Sequence, residues 1–309
     1  MLAGIMTYPI LHVPHDASTQ LEQLGTKGKF WFRSEDGEPV LFKEGRPGAG
    51  ENWSEKICCE IARLLGLPHA EYGLALWNGR QGVASPSIVP KQGRLILGNE
   101  LLAKVFEQDH YDPQTKYRDS QHTLRRVVAV LRNPLLMTPL DWHRPAEISN
   151  AVGVFAGYLL LDALVSNQDR HHENWGVIGT QDGLSLASSF DHASSLGRNE
   201  ADGLRVERLT TKDIGRSVEH YVSRARSGLY ETQSSKHPMS TLNAFKEALK
   251  LSPEAGSYWL HQLATITLEM LDKLFRQLPD DWISPPAIDF ALAILTINQK
   301  RLLELRNTL

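Results

Sequence analysis

Residues 166–176 read Ser-Asn-Gln-Asp-Arg-His-His-Glu-Asn-Trp-Gly, a run dominated by polar and titratable side chains. This polar run follows directly on the most apolar stretch of the chain, residues 151–165, in which Asp162 is the one charged residue. A membrane span needs roughly twenty apolar residues, so this shorter stretch predicts a buried core helix. The polar run is therefore expected to start from the core, which would hold its side chains at a defined place.

The polar run contains Asp169 and, five positions later, Asn174, and a second aspartate, Asp191, ends an apolar run further along the chain. Phosphoryl transfer requires a set of this kind. The first Asp accepts or orients the attacking hydroxyl, and the Asn and the second Asp supply hard oxygen ligands to Mg²⁺. Taken alone, the pattern also fits a solvated polar loop followed by an unrelated Asp.

A lysine and a glutamate upstream add to this set. An Asp-Gly turn separates two β-favouring runs, residues 29–33 and 40–43, and Lys43 ends the second run. Residues 51–66 have apolar residues at helical spacing and contain Glu55. A strand lysine that neutralises ATP phosphates, oriented by a glutamate on the next helix, is the recurring arrangement of kinases.

The remaining pattern divides the chain into two lobes. Short strands precede an extended, proline-containing connector at residues 85–90, and beyond residue 95 the pattern is mostly helical. Candidate helices are residues 99–109, 121–131, 146–166, 236–251, 254–277 and 286–305. The sequence therefore predicts an α+β fold with a small β-rich N-lobe, residues 1–90, and a larger, mostly helical C-lobe, residues 91–309. A cleft between two lobes is a usual place for a ligand.

Composition excludes several classes of protein. The 309-residue chain has a net charge of -3, which gives no reason to expect direct nucleic-acid binding. Its two cysteines, Cys58 and Cys59, are adjacent, so they lack the two-residue gap of a metal-binding pair and are expected to be reduced thiols on a partly buried helix. The first six residues contain no basic segment, so no signal peptide is predicted and a cytoplasmic location is expected.

These motifs together resemble the HipA-like kinases, a family related in fold to phosphoinositide 3/4-kinases and protein kinases. The resemblance covers most of the chain and implies a two-lobed protein-kinase-like fold. Its N-lobe segments are residues 41–43, 53–57 and 62–67. In the C-lobe, residues 167–174 resemble the catalytic loop of the family, and residues 190–191 resemble its metal-binding motif.

The resemblance implies a role for each matching residue, with ATP and Mg²⁺ as cofactors. Asp169 would be the catalytic base, and Asn174 and Asp191 would hold Mg²⁺. Lys43 would bind the phosphates of ATP, and Glu55 would be its partner.

The role of His171 has two interpretations. The Asp-Arg-His order resembles the lipid kinases and reverses the His-Arg-Asp order of protein kinases. His171 therefore either braces the loop or shares the proton transfer with Asp169, and bracing is the simpler interpretation. Arg170 and His172 are expected to be structural.

Two further segments are expected to contact the nucleotide. Gly25, Lys27 and Gly28 belong to a short glycine-containing loop that offers backbone N–H groups and a lysine to phosphates. This loop lacks the full glycine-rich pattern of protein kinases and is no Walker A motif, so it fits an ordinary turn equally well. Ser87 and Val89 lie on the connector between the lobes and are expected to line the nucleotide cleft.

The resemblance implies a Ser/Thr protein kinase, acting as the toxin of a toxin–antitoxin system, with a protein substrate and an antitoxin or other regulatory partner. A lipid or small-molecule kinase would carry the same catalytic groups but would need a cluster of basic residues to bind a head group. Residues 198–226 hold seven Lys and Arg residues, but five acids are interleaved, which favours a charge-mixed solvated face.

Two proteins without kinase activity would share some of these residues. A catalytically inactive nucleotide-binding module would have the same fold, although such modules often lose the polar residues that are present here. A metal-dependent hydrolase or oxygenase is disfavoured, because His171 and His172 are adjacent and the His-Glu-x-x-His spacing is absent.

Overall fold

The N-terminal part of the chain is built around one mixed β-sheet. The computed structural model describes residues 6–17, 28–109, 111–115 and 119–308. The strands of this sheet are β1 (Ile10–His12), β2 (Lys29–Arg33), β3 (Pro39–Glu44), β4 (Gly73–Trp77) and β5 (Arg80–Pro86). They lie in the order β1-β4-β5-β3-β2, with β1 parallel to β4 and the other neighbours antiparallel.

An aromatic hairpin forms one edge of this sheet. Strands β2 and β3 pair with Lys29 opposite Lys43. Phe30, Phe32 and Phe42 are buried on one face, because alternate side chains of a strand point to the same side. The predicted hairpin is confirmed, and Lys43 lies one residue before the end of β3.

The helix after the hairpin, α1 (Glu51–Leu65), is enclosed along most of its length. Gly50 precedes it in the left-handed region, and a Cβ atom there would collide with the ring of Trp53. Gly66 ends it with a φ of 70° and donates its N–H to carbonyls of the last turn. The helix packs against β4 and β5 on one side and against C-terminal helices on the other. The helix predicted over residues 51–66 is confirmed.

The C-terminal part is mostly helical. Its helices are α2 (Gly98–Val105), α3 (Leu124–Leu131), α4 (Ala151–Val165), α5 (Asp202–Thr210), α6 (Val218–Ser223), α7 (Thr241–Leu251), α8 (Pro253–Thr265), α9 (Leu268–Arg276) and α10 (Pro285–Glu304). Short 3-10 segments lie at Glu107–Asp109, Ile214–Arg216 and Leu305–Thr308. Apolar side chains of α1 and α4 belong to one continuous hydrophobic core, so the N-terminal sheet is anchored to the helical part through α1.

Helix α4 is the centre of this core. Every one of its residues is buried, and it packs against α7, α8 and α10. Because all its sides are covered, its sequence is apolar all round and not amphipathic. The buried core helix predicted over residues 151–165 is confirmed. Within the described ranges, no helix is both long enough and apolar enough to cross a membrane.

A second, smaller sheet lies beside α4. Its strands are β6 (Arg94–Leu97), β7 (Leu136–Met137), β8 (Gly176–Thr180) and β9 (Gly183–Leu186), in the order β6-β8-β9-β7. The polar run at residues 166–176 connects α4 to β8. Gly98 donates its N–H to the carbonyl oxygen of Trp175 over 2.9 Å, and a Cβ atom at Gly98 would collide with the Trp175 ring. The end of the polar run is thus held against the start of α2.

The structure corrects two predictions, one of a helix and one of a solvated face. The helix predicted over residues 254–277 is two helices, because α8 ends at Thr265, Ile266 is extended and the hydroxyl of Thr267 caps α9. The charge-mixed solvated face predicted at residues 198–226 is wrong for Arg198 and Arg205, which are buried, while most other charged residues of this segment are at least partly exposed.

The α+β class is confirmed, since one sheet and α1 form the N-terminal part and helices dominate the remainder. The large sheet ends at Pro86, close to the predicted lobe boundary at residue 90. The division into residues 1–90 and 91–309 itself stays a prediction.

Candidate functional site

A buried ion pair positions the polar loop that follows α4. Arg170 donates from Nε to Asp162 Oδ2 over 2.7 Å and from Nη2 to Asp162 Oδ1 over 2.8 Å. Arg170 also donates to the backbone carbonyl of Asn174 over 2.7 Å and to the hydroxyl of Ser189 over 3.0 Å. Because Asp162 belongs to α4, this bidentate pair ties the loop to the core helix. The buried position of Arg170 agrees with the structural role expected for it.

Side-chain to backbone hydrogen bonds shape the loop around Asp169. Asn167 accepts the N–H of Asp169 over 3.1 Å and donates to Asp162 over 2.8 Å. Asn174 donates from Nδ2 to the carbonyl oxygen of Asp169 over 2.6 Å. This bond uses the amide nitrogen of Asn174 and leaves its Oδ1 atom as a potential cation ligand.

His171 lies beside Asp169 and is oriented by the backbone. The N–H of Glu173 donates to Nδ1 of His171 over 3.1 Å, so Nδ1 is an acceptor and Nε2 carries the ring hydrogen of the neutral form. Nε2 lies 3.6 Å from Oδ1 of Asp169. This geometry favours bracing of the Asp169 carboxylate over a separate role as base, because the nitrogen that faces Asp169 is not a proton acceptor.

The other face of the loop is packed on histidines and aromatic rings. The indole N–H of Trp175 donates to Nε2 of His122 over 3.1 Å, and Nδ1 of His122 donates to the carbonyl of Gly228 over 2.9 Å. Burial lowers the pKa of His122 to about 3, so this ring is neutral. His172 is also buried and contacts the hydroxyl of Tyr111, in agreement with its expected structural role.

Lys43 connects the N-terminal sheet to the segment after β9. Its Nζ atom lies 3.1 Å from Oδ1 of Asp191 and 3.6 Å from Oε2 of Glu55. Burial alone would lower the pKa of Lys43, but the Asp191 carboxylate raises it well above its usual range. Burial likewise opposes ionisation of Asp191, yet Lys43 holds the pKa of Asp191 well below its usual range. Both members of this pair are therefore charged at neutral pH.

Glu55 is almost completely buried in α1. Burial raises its pKa to about 7 despite the neighbouring Lys43, and its Oε2 atom has no hydrogen-bond partner among the described residues. Its Oε1 atom accepts the N–H of His192 over 2.6 Å. Asp191 itself has a φ of 59° and donates its N–H to the hydroxyl of Tyr72 over 3.2 Å. The Asp191 turn is thereby fastened to α1 and to the segment before β4.

The predicted residues Lys43, Glu55, Asp169, His171, Asn174 and Asp191 all line one cavity of about 120 Å³. This space is small, so it suits a phosphate group and a cation, and the remainder of a nucleotide would lie outside it. A larger groove of about 960 Å³ shares Glu44, Gly45 and Asn52 with it. The cavity therefore opens into a wider groove at the end of β3.

Sequence reasoning missed two cationic residues of this cavity, Lys29 and Arg198. Lys29 stands opposite Lys43 in the hairpin register, a relation that the predicted hairpin implied. Arg198 is buried, donates from Nη1 to the carbonyl of Ala49 over 3.1 Å, and has no hydrogen-bond partner for Nε among the described residues. Its interleaved acidic neighbours in the sequence had suggested a solvated side chain.

Of the other predicted site residues, Gly28, Ser87 and Val89 do not line this cavity. Gly28 accepts the N–H of Glu44 at the start of the hairpin, and Gly25 and Lys27 lie outside the described residues. Ser87 and Val89 form a local turn, in which the N–H of Val89 donates to the hydroxyl of Ser87 over 3.1 Å. For these five residues, contact with a nucleotide stays a prediction.

The cavity lining fits a phosphate group with a divalent cation. The carboxylate of Asp191 and the amide oxygen of Asn174 are hard donors of the kind that Mg²⁺ prefers. Lys43 and Arg198 bring positive charge to the same space. The guanidinium of Arg198 is held at the cavity by Glu51, another residue of the lining, whose Oε1 atom lies 3.4 Å from its Nη1 atom.

A second cavity meets the first at Asp169 and His171. It has a volume of about 720 Å³. Arg226, Lys236 and His237 contribute exposed basic side chains to its lining. Asp169 and His171 thus belong to both cavities, the smaller one that holds Lys43 and Asp191 and the larger second one.

Comparison with known proteins finds solved structures of similar fold. No family model matches the sequence, and neither does any curated protein. The solved structure of CtkA, a proinflammatory kinase of Helicobacter pylori, is similar with a TM-score of 0.71 and 17% identity, over 94% of this chain and 93% of that one. HipA of Shewanella oneidensis, solved with HipB and operator DNA of a toxin–antitoxin system, is similar with a TM-score of 0.51 and 14% identity, over 91% of this chain and 64% of that one.

At these identities the similarity is one of fold. The two-lobed, kinase-like α+β fold is therefore confirmed, and the chain has the fold of the HipA-like kinases.

Proposed function

We propose that this protein is a Mg²⁺- and ATP-dependent phosphotransferase that transfers the γ-phosphate to a hydroxyl group. One observation carries the proposal. Lys43, which is paired with both Glu55 and Asp191, shares a cavity with Asp169 and Asn174. Structural ion pairs alone do not require an amide and a second carboxylate at the same cavity, whereas phosphoryl transfer does.

Each side chain has a defined task in this proposal. Lys43 binds phosphate oxygens, and Glu55 keeps it in place. Asn174 and Asp191 hold Mg²⁺, which when bound offsets the negative charge of the phosphates. Asp169 accepts the proton of the attacking hydroxyl, and His171 braces its carboxylate from 3.6 Å away.

The acceptor is proposed to enter through the second cavity, because its lining includes Asp169 and His171 but not Lys43. An open polar cavity suits a protein segment that presents a Ser or Thr hydroxyl. A lipid acceptor loses support, because Arg205, one of the basic residues that would bind a head group, is buried and donates to backbone carbonyls and to Asp202. A Ser/Thr protein substrate is therefore favoured over a lipid.

The toxin role and an antitoxin partner rest on the likeness to HipA, which is described as part of a toxin–antitoxin system with HipB. We propose the same role here, in the cytoplasm. Expression of the wild-type chain should then slow growth, and Asp191→Ala should relieve the effect. Normal growth on wild-type expression would reject the toxin role and leave the phosphotransferase proposal standing.

Labelled-ATP transfer in a cell lysate tests the activity directly. Incubation with γ-labelled ATP and Mg²⁺ should label a protein, and the Asp169→Asn variant should label none. Label in a lipid or small molecule would favour that class of acceptor instead. Nucleotide binding without transfer to any species, with any divalent metal, would support an inactive nucleotide-binding module.

A further inference from the structure

Three side chains of types that can bind a metal lie close together outside the two cavities of the candidate site. Cys59 lies on α1, and His69 and Glu71 lie between α1 and β4. One ligand atom from each of the three lies within 4.8 Å of the others. Cys59 is buried, the side chain of His69 is 8% exposed, and Glu71 reaches the group from the surface.

One of the two ring nitrogens of His69 has no hydrogen-bond partner among the described residues. Nδ1 lies 2.7 Å from the carbonyl oxygen of Leu67, which only accepts, so Nδ1 carries a hydrogen. Nε2 is buried and has no hydrogen-bond partner among the described residues. A ring held through Nδ1–H by a backbone carbonyl, with Nε2 presented inward, is the arrangement of most metal-bound histidines.

The Glu71 carboxylate lies close to both other ligands through its two oxygens, and the three ligand atoms lie within 4.8 Å of one another. Nε2 of His69 lies 3.5 Å from Oε1 of Glu71, and Sγ of Cys59 lies 3.8 Å from Oε2 of Glu71. Zinc bonds of about 2.0–2.3 Å at tetrahedral angles place ligand atoms roughly 3.3–3.8 Å apart. The lone pairs of His69 Nε2 and Glu71 Oε1, which lie 3.5 Å apart, repel each other unless a cation or a proton lies between them.

We propose that Cys59, His69 and Glu71 form a Zn²⁺ site, with water as the fourth ligand. Sulfur, imidazole and carboxylate donors together favour Zn²⁺ over Mg²⁺ or Ca²⁺, which select oxygen alone. On binding, the metal replaces the thiol proton of Cys59, which passes to solvent. This site uses Cys59 without its neighbour Cys58, which is why the spacing of the two cysteines did not indicate it.

Arg63 is the natural competitor of a metal at this site. Its guanidinium contacts Oε2 of Glu71 and also contacts Glu60, while Oε1 of Glu71 still faces His69. Arg63 is 45% exposed, so it can move into solvent when a cation arrives. Removing its positive charge in Arg63→Gln is therefore expected to tighten metal binding.

The site lies close to the machinery of the cleft. Cys59 is one helical turn beyond Glu55 on α1, and its Sγ accepts the N–H of Tyr72 over 3.4 Å. The hydroxyl of the same Tyr72 accepts the N–H of Asp191. Bound Zn²⁺ would join α1 to the segment before β4 and would stabilise the folded chain, because ligands that bind only the native state raise its stability.

Metal titration of the full chain, stripped of metal, tests the proposal. One Zn²⁺ per chain should bind, and Co²⁺ should produce the near-ultraviolet absorption of a thiolate–cobalt bond. Cys59→Ala and His69→Gln should each weaken Zn²⁺ binding by roughly 100-fold or more, and Cys59→Ala should abolish the cobalt signal. Cys58→Ala, which removes the adjacent buried thiol, is the matched control and should bind as the wild type does.

Three outcomes would overturn the proposal: no stoichiometric binding by the wild type, unchanged binding by both Cys59→Ala and His69→Gln, or loss of binding in Cys58→Ala alone. The first outcome would mean that the three side chains meet without binding a metal. Thermal unfolding without metal checks that the variants fold. If Cys59→Ala does not fold, His69→Gln and the surface variant Glu71→Gln decide the question, since both should weaken binding.

Discussion

The ammonium group of Lys43 lies 3.1 Å from the carboxylate of Asp191, although Lys43 belongs to the N-terminal sheet and Asp191 follows the second sheet. This ion pair spans the cleft. Glu55 approaches the same ammonium from α1 and accepts the N–H of His192 beside Asp191. The two sides of the cleft are therefore joined by three titratable groups, and a change in any one of them acts on both sides.

Loss of the lysine should disable the cleft. In Lys43→Met, the carboxylates of Glu55 and Asp191 lose their shared counter-charge, and phosphate loses a ligand. Phosphotransfer is expected to fall roughly 100-fold or more, as on removal of other preorganised electrostatic groups. The measurement is the initial rate with γ-labelled ATP. Lys91→Met, which alters an exposed lysine, should keep the wild-type rate, and equal rates for both variants would reject the role of Lys43.

Substitutions of Asp169 and of His171 should lower kcat to different extents. Asp169→Asn is expected to bind Mg-ATP nearly as the wild type does and to lower kcat by about 10²–10⁴-fold, the usual contribution of a general base. His171→Gln, which removes only a brace, should lower kcat less than about tenfold. Asp182→Asn on an exposed turn is the control. The reverse order of effects would make His171 the base.

Arg198 should act on nucleotide binding. Its side chain lines the cavity that also holds Lys43 and Asp191. Arg198→Gln is therefore expected to raise the KM for ATP roughly tenfold, the loss of one charge-assisted hydrogen bond. Arg216→Gln, at an exposed arginine paired with Glu207, should leave KM unchanged. An unchanged KM in Arg198→Gln, with a folded protein, would show that Arg198 serves the fold alone.

The buried ion pair between Asp162 and Arg170 should contribute to the free energy of unfolding. Asp162→Ala leaves the guanidinium of Arg170 buried without its counter-charge, and this is expected to lower the free energy of unfolding by about 3–5 kcal/mol. Lys250→Gln breaks an exposed pair with Glu247 and should change it by less than about 0.5 kcal/mol. Urea unfolding compares the two variants. Similar small losses for both would mean that the loop is held chiefly by its other contacts.

Acid should destabilise the protein through His122. The pKa of this buried ring is about 3 in the folded chain against 6.5 in the unfolded chain, so the unfolded state binds the proton first as the pH falls. Its contribution is fully present above pH 6.5 and is lost as the pH falls from there toward 3, at up to about 1.4 kcal/mol per pH unit. Urea unfolding at several pH values should show a shallower decline for His122→Gln. An identical decline in both proteins would contradict this assignment.

Local patterns were enough to predict the elements that carry the site. The hairpin that holds Lys43, the helix that holds Glu55 and the core helix before Asp169 are all present within a few residues of their predicted positions. These elements have strong local signals, namely alternation, helical spacing and continuous apolarity. The prediction failed where the local signal was weaker. Helices α8 and α9 were predicted as one helix, because only a single extended residue, Ile266, interrupts the helical pattern.

The amino-acid sequence by itself determined the set of chemical groups and their order along the chain: a lysine, a glutamate, an Asp–Asn pair and a final aspartate. Only the tertiary structure decided which groups meet, because contacts between residues far apart in sequence depend on packing and not on local pattern. The polar run at residues 166–176 is held in place by Asp162, which is buried inside the helix before it. Arg198 and the Cys59–His69–Glu71 group are likewise brought next to their partners only in the folded chain.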